Sequence, residues 1–551
     1  MSRTTRVILV AAAAATLGAL VVGCSSGSGA STPAEAVGDP AQGGTLTYLE
    51  PQAWNTLYPP SAGFYPNGGI VNNITDRLLY QNPETLELEP WIATAYTVND
   101  DATAYTFDLR TDVTYSDGTP LTAANVVKNL DLFGRGDTER ALPVSEAINN
   151  YDRGEVVDGD TVSFFFTAPS PGFAQAVSTI TSGLLSDATL DRTSEQFGPG
   201  NAREIIGTGP FVISGEELGT STRLTAREDY DWGPPSLERQ GAAYLDGIDV
   251  VVASEDSVRV GTVVSGQAEI ARGIEAPDEA QFAASGLTLH AAGTNGVNNG
   301  LSFRFREPWL SDLRVRQALI AGIDRQQIVD TLFTENYPLA TGALASTALG
   351  YIDTSEYYVH DPKKAADLLE GAGWALNSDG LREKDGEVLT LTFNEALPQP
   401  RSKEVVTLIQ EQLGDLGITV DLYAGDMAAQ TAAAADGSSV QVYHSMVGRA
   451  DFDVLKSQYF SKNRNALLNF AKADGSIGDA QLDSLLQEIA SEPTTQKRQT
   501  ASAAAQEYLA ENAYILPIFE EPQVFGLTDK VQGFATESVG RPSFYSTWLV
   551  G

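Results

Sequence analysis

The chain's reactive inventory is small: three histidines, one cysteine and a large surplus of carboxylates. His290, His360 and His444 stand too far apart in sequence to make a zinc motif, and no H-E-x-x-H, Walker A or EF-hand string occurs. The 72 acidic residues make some close carboxylate pair inevitable, which keeps a secreted hydrolase as an alternative without any local support. The run Gly23-Cys24-Ser25-Ser26-Gly27 formally fits the G-x-S-x-G nucleophile elbow. That elbow needs a strand before the serine and a helix after it, and this one lies between an export signal and a tether. No catalytic set emerges, so the informative chemistry is that of binding. The stretch WNTLYPPSAGFYPNGG, Trp54 to Gly69, gathers Trp54, Tyr58, Phe64, Tyr65 and Asn67 among three prolines and three glycines. It reads as a long loop with much apolar surface, and two readings stand: its aromatics cover a local core, or they line a ligand cleft.

The N-terminal residues bear on where such a cleft would work. Arg3 and Arg6, with no acidic residue nearby, precede an apolar run from Val7 to Val22, the pattern of an export signal over residues 1–23. Its 16 residues fall short of the roughly 20 that a spanning helix needs. Val21-Val22-Gly23-Cys24 resembles the lipobox of bacterial lipoproteins, and the resemblance implies cleavage before Cys24 and its lipidation; the alternative is a buried or free thiol behind an ordinary signal. Two acyl chains on one cysteine hold a protein to a membrane stably. Of the next 20 residues, Ser25 to Gly44, 16 are Gly, Ser, Ala, Thr or Pro, so residues 24–44 read as a flexible tether reaching about 25 Å.

Charge and size narrow the class further. Without residues 1–23 the chain carries 33 basic and 72 acidic residues, a net of 33 − 72 = −39. That field, with no basic tract, argues against nucleic acid as a partner. The remaining length supports two or three domains, and the lone cysteine excludes an intrachain disulfide.

Strands and capped helices alternate along this length. The segment from Thr45 to Glu50 follows a double glycine and reads as a first strand; Tyr105–Arg110 alternates apolar with polar; Asp158–Phe166 is a turn and a strand. Thr122 is placed to cap a helix with Val126, Leu130 and Phe133 on one face. Ser311 is expected to open another helix, Asp324 and Gln327 to form a capping box, and Asp361-Pro362 to start a third helix. A helix over Ser402–Leu416 leads into ITVDL, and one near Thr495–Asn512 leads into AYILPIF, a strand expected to return the chain to its first domain. Helix followed by strand, repeated, indicates α/β layers.

Six phrases then occur in a distinctive order: LEPWIATAYTVNDDATAYTFDLRTDVTYSDGTPLTAANVV, IIGTGPFVI, EDYDW, EPWLSDLRVRQALIAGIDRQQIV, DPKKAADLLEGAGW and IQEQLGDLGITVDL. Over about residues 43–530 the chain resembles the family 5 extracellular solute-binding proteins of bacterial ABC importers, which bind dipeptides, oligopeptides and nickel. The resemblance implies an α/β, two-lobed periplasmic-binding-protein-like fold of type II, in the large peptide-binder subclass, with a discontinuous first lobe. Lobe I would comprise residues 45–297 and 518–551 and include an extra subdomain, and lobe II residues 298–517, with crossings near Thr294–Leu301 and Ile515–Phe519. A peptide-like solute would be enclosed between the lobes without cofactor, metal or covalent step, and a lipid-anchored monomer at the outer face of the cell membrane would pass it to the permease and ATPase subunits. In the family's peptide binders an aspartate after a turn pairs with the ligand's α-ammonium; VGRADFDVLKSQYF puts Asp451 in that place. No proline follows it, and Arg449 and Asp453 flank it. Arg449 is a candidate for a ligand carboxylate, and turn-capping is the alternative for Asp451. The family's nickel binders make a metal chelate the second reading, with His444, seven residues before Asp451, as its candidate ligand.

The lipobox generates the first prediction. The wild-type chain should partition into detergent, and Cys24→Ala should be released into the aqueous phase or left unprocessed; an alanine variant cleaved and membrane-bound as before would refute lipidation. Phase partitioning with immunoblotting of both forms reads the outcome.

Overall fold

A computed structural model describes residues 38–550, apart from 398, 464–466 and 469–473. The signal peptide, Cys24 and most of the tether lie outside the described residues. Strand Thr45–Glu50 buries both of its faces, Leu46 and Tyr48 on one and Leu49 on the other, because parallel neighbours flank it on both sides, Gly247–Val252 and Ile270–Arg272. It stands at the centre of a seven-stranded mixed sheet ordered 288–293, 522–527, 270–272, 45–50, 247–252, 221–226 and 211–217. A five-stranded sheet is ordered 419–423, 390–394, 442–448, 296–303 and 515–519. These two sheets, with helices packed on them, make the α/β architecture.

A four-stranded antiparallel sheet, 93–98, 104–109, 161–166 and 151–156, forms a third layer. In its interior strand Thr161–Phe166 the side chains of Val162, Phe164 and Phe166 alternate inward, and Tyr105, Phe107, Phe164 and Phe166 surround Phe173 with ring centroids 4.7–6.1 Å away. Such tilted and edge-on pairs add to the roughly 1.5–3 kcal/mol of burying each ring. Helix Ala123–Arg135 covers this layer, and the Thr122 hydroxyl accepts from Asn125 N at 3.2 Å, the cap that its position predicts.

Two caps differ from expectation. Ser311 belongs to a 3-10 turn, and Asp312 caps helix Leu313–Gly322 through Arg314 N, since its carboxylate reaches the orphan amide at 2.9 Å. Asp324 accepts from Gln327 N at 2.9 Å, but the return bond of a capping box is missing: Gln412 Oε1 receives Asp324 N, and its Nε2 donates to the Gln327 side chain. A partner 88 residues away has taken over a local role. Asp361 caps as expected, with Pro362 in the first turn.

The chain passes between the two large sheets through Gly296–Phe303 and returns after Ile515–Phe519. These strands pair antiparallel inside the five-stranded sheet, Leu301 opposite Leu516. The strand expected to rejoin the first domain therefore closes the second sheet, and the next strand, Pro522–Leu527, enters the first one. Gly296 sits at the outgoing passage with φ of +139°, and a Cβ there would lie 2.0 Å from Val447 O and 2.8 Å from Arg449 N. Both atoms are backbone of the paired strand and the turn after it, so no side-chain shift can relieve the clash. Gly296→Ala should cost about 1–3 kcal/mol, read as a lowered urea midpoint; an unchanged midpoint would mean that the passage is not held at this spacing.

Candidate functional site

Between the two large sheets lie two adjoining cavities of about 390 and 260 Å³ that share Phe64, Tyr65, Gln399 and Met446 in their walls. Strand Val442–Gly448 contributes Met446 to both, and strands Ile270–Arg272 and Pro522–Leu527 contribute Arg272 and Val524 to the smaller one, so the lining comes from both sheets. The partition is the start of helix Tyr65–Ile74. Pro66 occupies its first turn, and the two glycines that look like breakers lie inside it, because a Cβ on Gly68 would meet Arg541 Cδ at 2.4 Å and Ile180 at 2.7 Å. The expected irregular loop is therefore a 3-10 turn, Pro59–Ser61, followed by a helix whose glycines allow close packing.

Tyr65 is fixed on three sides. The Arg272 and Arg541 guanidinium carbons lie 5.2 and 4.9 Å from its ring centroid, and its hydroxyl donates to Val539 O at 2.8 Å. Burial pushes the phenol up to about 12, so it stays a neutral donor. Phe64 and Arg449 join it in the larger cavity.

Asp451 stands behind this wall. It is 3% exposed; one carboxylate oxygen accepts from Arg449 Nε at 2.5 Å and the other from Asp453 N at 2.8 Å. The aspartate expected to receive a ligand ammonium is thus already engaged by the neighbouring guanidinium and by its own turn, and Arg449 is the member of the pair that reaches the cavity. Burial and the Asp451 charge act in opposite directions on Arg449, with the guanidinium held above its ordinary value. Direct bonds close one end of the cleft: Gln81 Nε2 donates to Ala450 O at 2.9 Å, and Arg498 donates to both Gln175 and Asp453.

Three expected site residues belong elsewhere. Tyr58 is 1% exposed, packed between Phe133 and Phe197 at 6.0 and 5.1 Å, and is core. Asn67 is buried and exchanges side-chain bonds with Asn55, accepting from Asn55 N and donating to its Oδ1, both at 2.9 Å; it holds the turn that precedes the helix. His444, expected as a chelate ligand, lies inside the five-stranded sheet with both ring nitrogens used, Nδ1 by Ser402 Oγ at 2.9 Å and Nε2 by Asn299 Oδ1 at 2.7 Å. Burial lowers it to about 4, so it is neutral at pH 7. Among the described residues no group of three His, Cys, Asp or Glu is placed to hold a metal ion. Conversely, Arg272, Gln399, Met446, Glu521 and Arg541 line the cleft without any sequence signal, because they come from four distant stretches that carry no motif.

A model of the bacterial extracellular solute-binding proteins, family 5 Middle, matches residues 87–466. The chain belongs to this family. Like the other family 5 proteins it is a binding protein by descent, 26% identical over 435 residues to the glutathione-binding protein GsiB of Salmonella choleraesuis (strain SC-B67), with 77% of each chain covered. Its fold is similar to that of DppA from Helicobacter pylori in complex with peptide STSA, at 20% identity, TM-score 0.76 and coverage of 92% of this chain and 98% of that one. It is equally similar to NikA from Brucella suis in complex with Fe(III)-EDTA, at 23% identity, TM-score 0.76 and coverage of 92% and 100%. The type II α/β fold of this family 5 chain is therefore the expected one.

In this family 5 chain a directional series of bonds runs behind the cleft, from Ala396 N to Ser402 Oγ, on to His444 Nδ1, from His444 Nε2 to Asn299 Oδ1, and from Asn299 Nδ2 to Glu521. Burial, more than the bonding pattern, keeps His444 neutral. Because the folded value lies below that of the unfolded chain, His444 contributes its stability fully above about pH 6.5 and loses it as pH falls toward 4. Glu521, raised to about 7 by burial, has the opposite slope, so the comparison must be between variants. The wild type should lose on the order of 1–2 kcal/mol more than His444→Gln between pH 7.5 and 5 in urea titrations; parallel losses would refute a buried neutral imidazole.

Proposed function

We propose that the chain is the solute-capturing component of an ABC importer, taking a peptide or peptide-like small solute between its two large sheets and delivering it to the permease and ATPase subunits. The observation that carries this reading is the pair of adjoining cavities lined from both sheets, beside the only two passages of the chain between them among the described residues. In this reading the seven-stranded sheet with the four-stranded layer moves as one lobe, and the five-stranded sheet with its helices as the other. A solute touching both lobes favours the closed form by its differential affinity for it. Phe64 and Tyr65 supply rigid apolar wall, and Arg449 presents a guanidinium suited to a ligand carboxylate. Binding of glutathione by GsiB and of a peptide by DppA supports a solute of this class. Lipidation at Cys24 would hold the monomer at the outer face of the cell membrane, where such delivery takes place. Nothing in the reading needs a covalent step.

Pools of di- to pentapeptides, glutathione and nickel–histidine chelate, scored by melting temperature, test it. A member at 100 times its Kd should add about 2.7 kcal/mol of stability. With the best member, Tyr65→Ala should lose more binding free energy in calorimetry than apo stability in urea. Shifts from the chelate alone would replace the peptide reading with the metal one, and equal losses in Tyr65→Ala would return that ring to a packing role.

A further inference from the structure

The smaller cavity has an unbalanced set of charges. Arg272 and Arg259 both line it, and both are already engaged. Arg272 Nε donates to the two Glu50 oxygens at 3.0 Å and its NH1 to Gln523 at 2.9 Å. Arg259 is bonded to Asp256 and to the carbonyls of Ala253, Ser254 and Gly273. Two further carboxylates in the lining, Glu275 and Glu521, have no salt-bridge partner among the described residues. Glu275 stands at the N-cap of helix Ala276–Ala284 but makes no capping bond.

Glu521 is the better built of the two. It is 7% exposed; one oxygen accepts from Asn299 Nδ2 at 2.9 Å, and the other has no hydrogen bond among the described residues. Asn299 is held in turn by His444, which fixes the amide that Glu521 accepts from. Removing a carboxylate from water is costly unless charge or hydrogen bonds compensate it, and the Asn299 bond serves only one of the two oxygens. Burial raises both groups, Glu521 to about 7, with Arg272 opposing at Glu521 and Arg401 and Arg259 opposing Asp256 and Glu404 at Glu275. Tyr337, tilted against Phe333 and edge-on to Phe519, closes the same wall.

We propose that this cavity is a cation-recognising subsite, in which Glu521 receives a protonated amine or guanidinium of the captured solute, with Glu275 elsewhere in the same lining. The proposal rests on the reading that the solute sits between the sheets. It also moves ammonium recognition from Asp451, which Arg449 occupies, to the carboxylate at the returning passage between the sheets.

Calorimetry at pH 8 on the full chain in detergent, with Ala-Lys-Ala, Ala-norleucine-Ala and agmatine as probes, tests it. The lysine peptide should bind roughly tenfold to a hundredfold more tightly than the norleucine peptide, the worth of one charge-assisted bond, and Glu521→Gln should bring that ratio close to one. Equal affinities in the wild type, or a ratio that survives Glu521→Gln, would overturn the subsite while leaving the peptide reading in place. Agmatine binding lost in Glu521→Gln, with neither peptide bound, would support the subsite and remove the peptide reading. No binding of any probe would overturn the subsite. Melting curves check that each variant folds; should Glu521→Gln fail, Glu275→Gln decides, and an unreduced ratio there counts against the proposal.

Discussion

The pairing of Gly296–Phe303 with Ile515–Phe519 sets the geometry on which the cleft depends. Among the described residues both passages of the chain between the large sheets leave from these neighbouring strands, which are bonded to one another. The adjoining positions are accordingly constrained: Gly296 leaves no room for a side chain against Val447, and Asn299 ties the outgoing strand to Glu521 at the return.

Charge is managed differently inside the molecule and on its surface. The formal net charge of −37 is spread over the exterior, where it favours solubility. Inside, carboxylates meet guanidinium groups that also satisfy other acceptors: Glu50 with Arg272 and Gln523, Asp453 with Arg498 and Gln175. Buried pairs of this kind contribute little net stability, because desolvation offsets their attraction, but losing one partner is costly, and so they fix positions. Arg272 and Arg541 do this for Tyr65, which they flank while bonded to acids elsewhere. Other buried carboxylates are met by neutral donors instead, Asp76 by Tyr230 and Trp232, and Glu521 by Asn299 on one oxygen.

The aromatic stretch from Trp54 to Gly69 shows how one segment can serve both core and cleft. Its first half turns inward: Trp54 Nε1 donates to Thr222 and Tyr58 packs among phenylalanines, while Asn67 reaches back to lock the turn. Its second half begins a helix whose first residues, Phe64 and Tyr65, face the cleft. The cleft-facing pair sits at the N-terminus of the helix, between the buried Tyr58 and Asn67, so the two readings that the composition leaves open each hold for part of the stretch.

By itself the sequence determined whatever depends on residues close together in the chain. The caps at Thr122 and Asp361, the inward alternation of Val162, Phe164 and Phe166, the α/β succession and the ordered family phrases are all set within a few turns of backbone, where period and local hydrogen bonding suffice. Tertiary structure alone decided which polar side chains remain available. Asp451 and His444 look functional as letters, and both are consumed by partners, Arg449 two residues away and Asn299 from a neighbouring strand. Glu521 looks like any other acid of an acidic chain, and becomes distinctive only when the sheets bury it beside Asn299 and leave one oxygen toward the cavity. Whether a charged group is spent or free depends on desolvation and on the conformation that brings its partners within reach, two residues away for Asp451 and 222 for Glu521, and no local pattern encodes that.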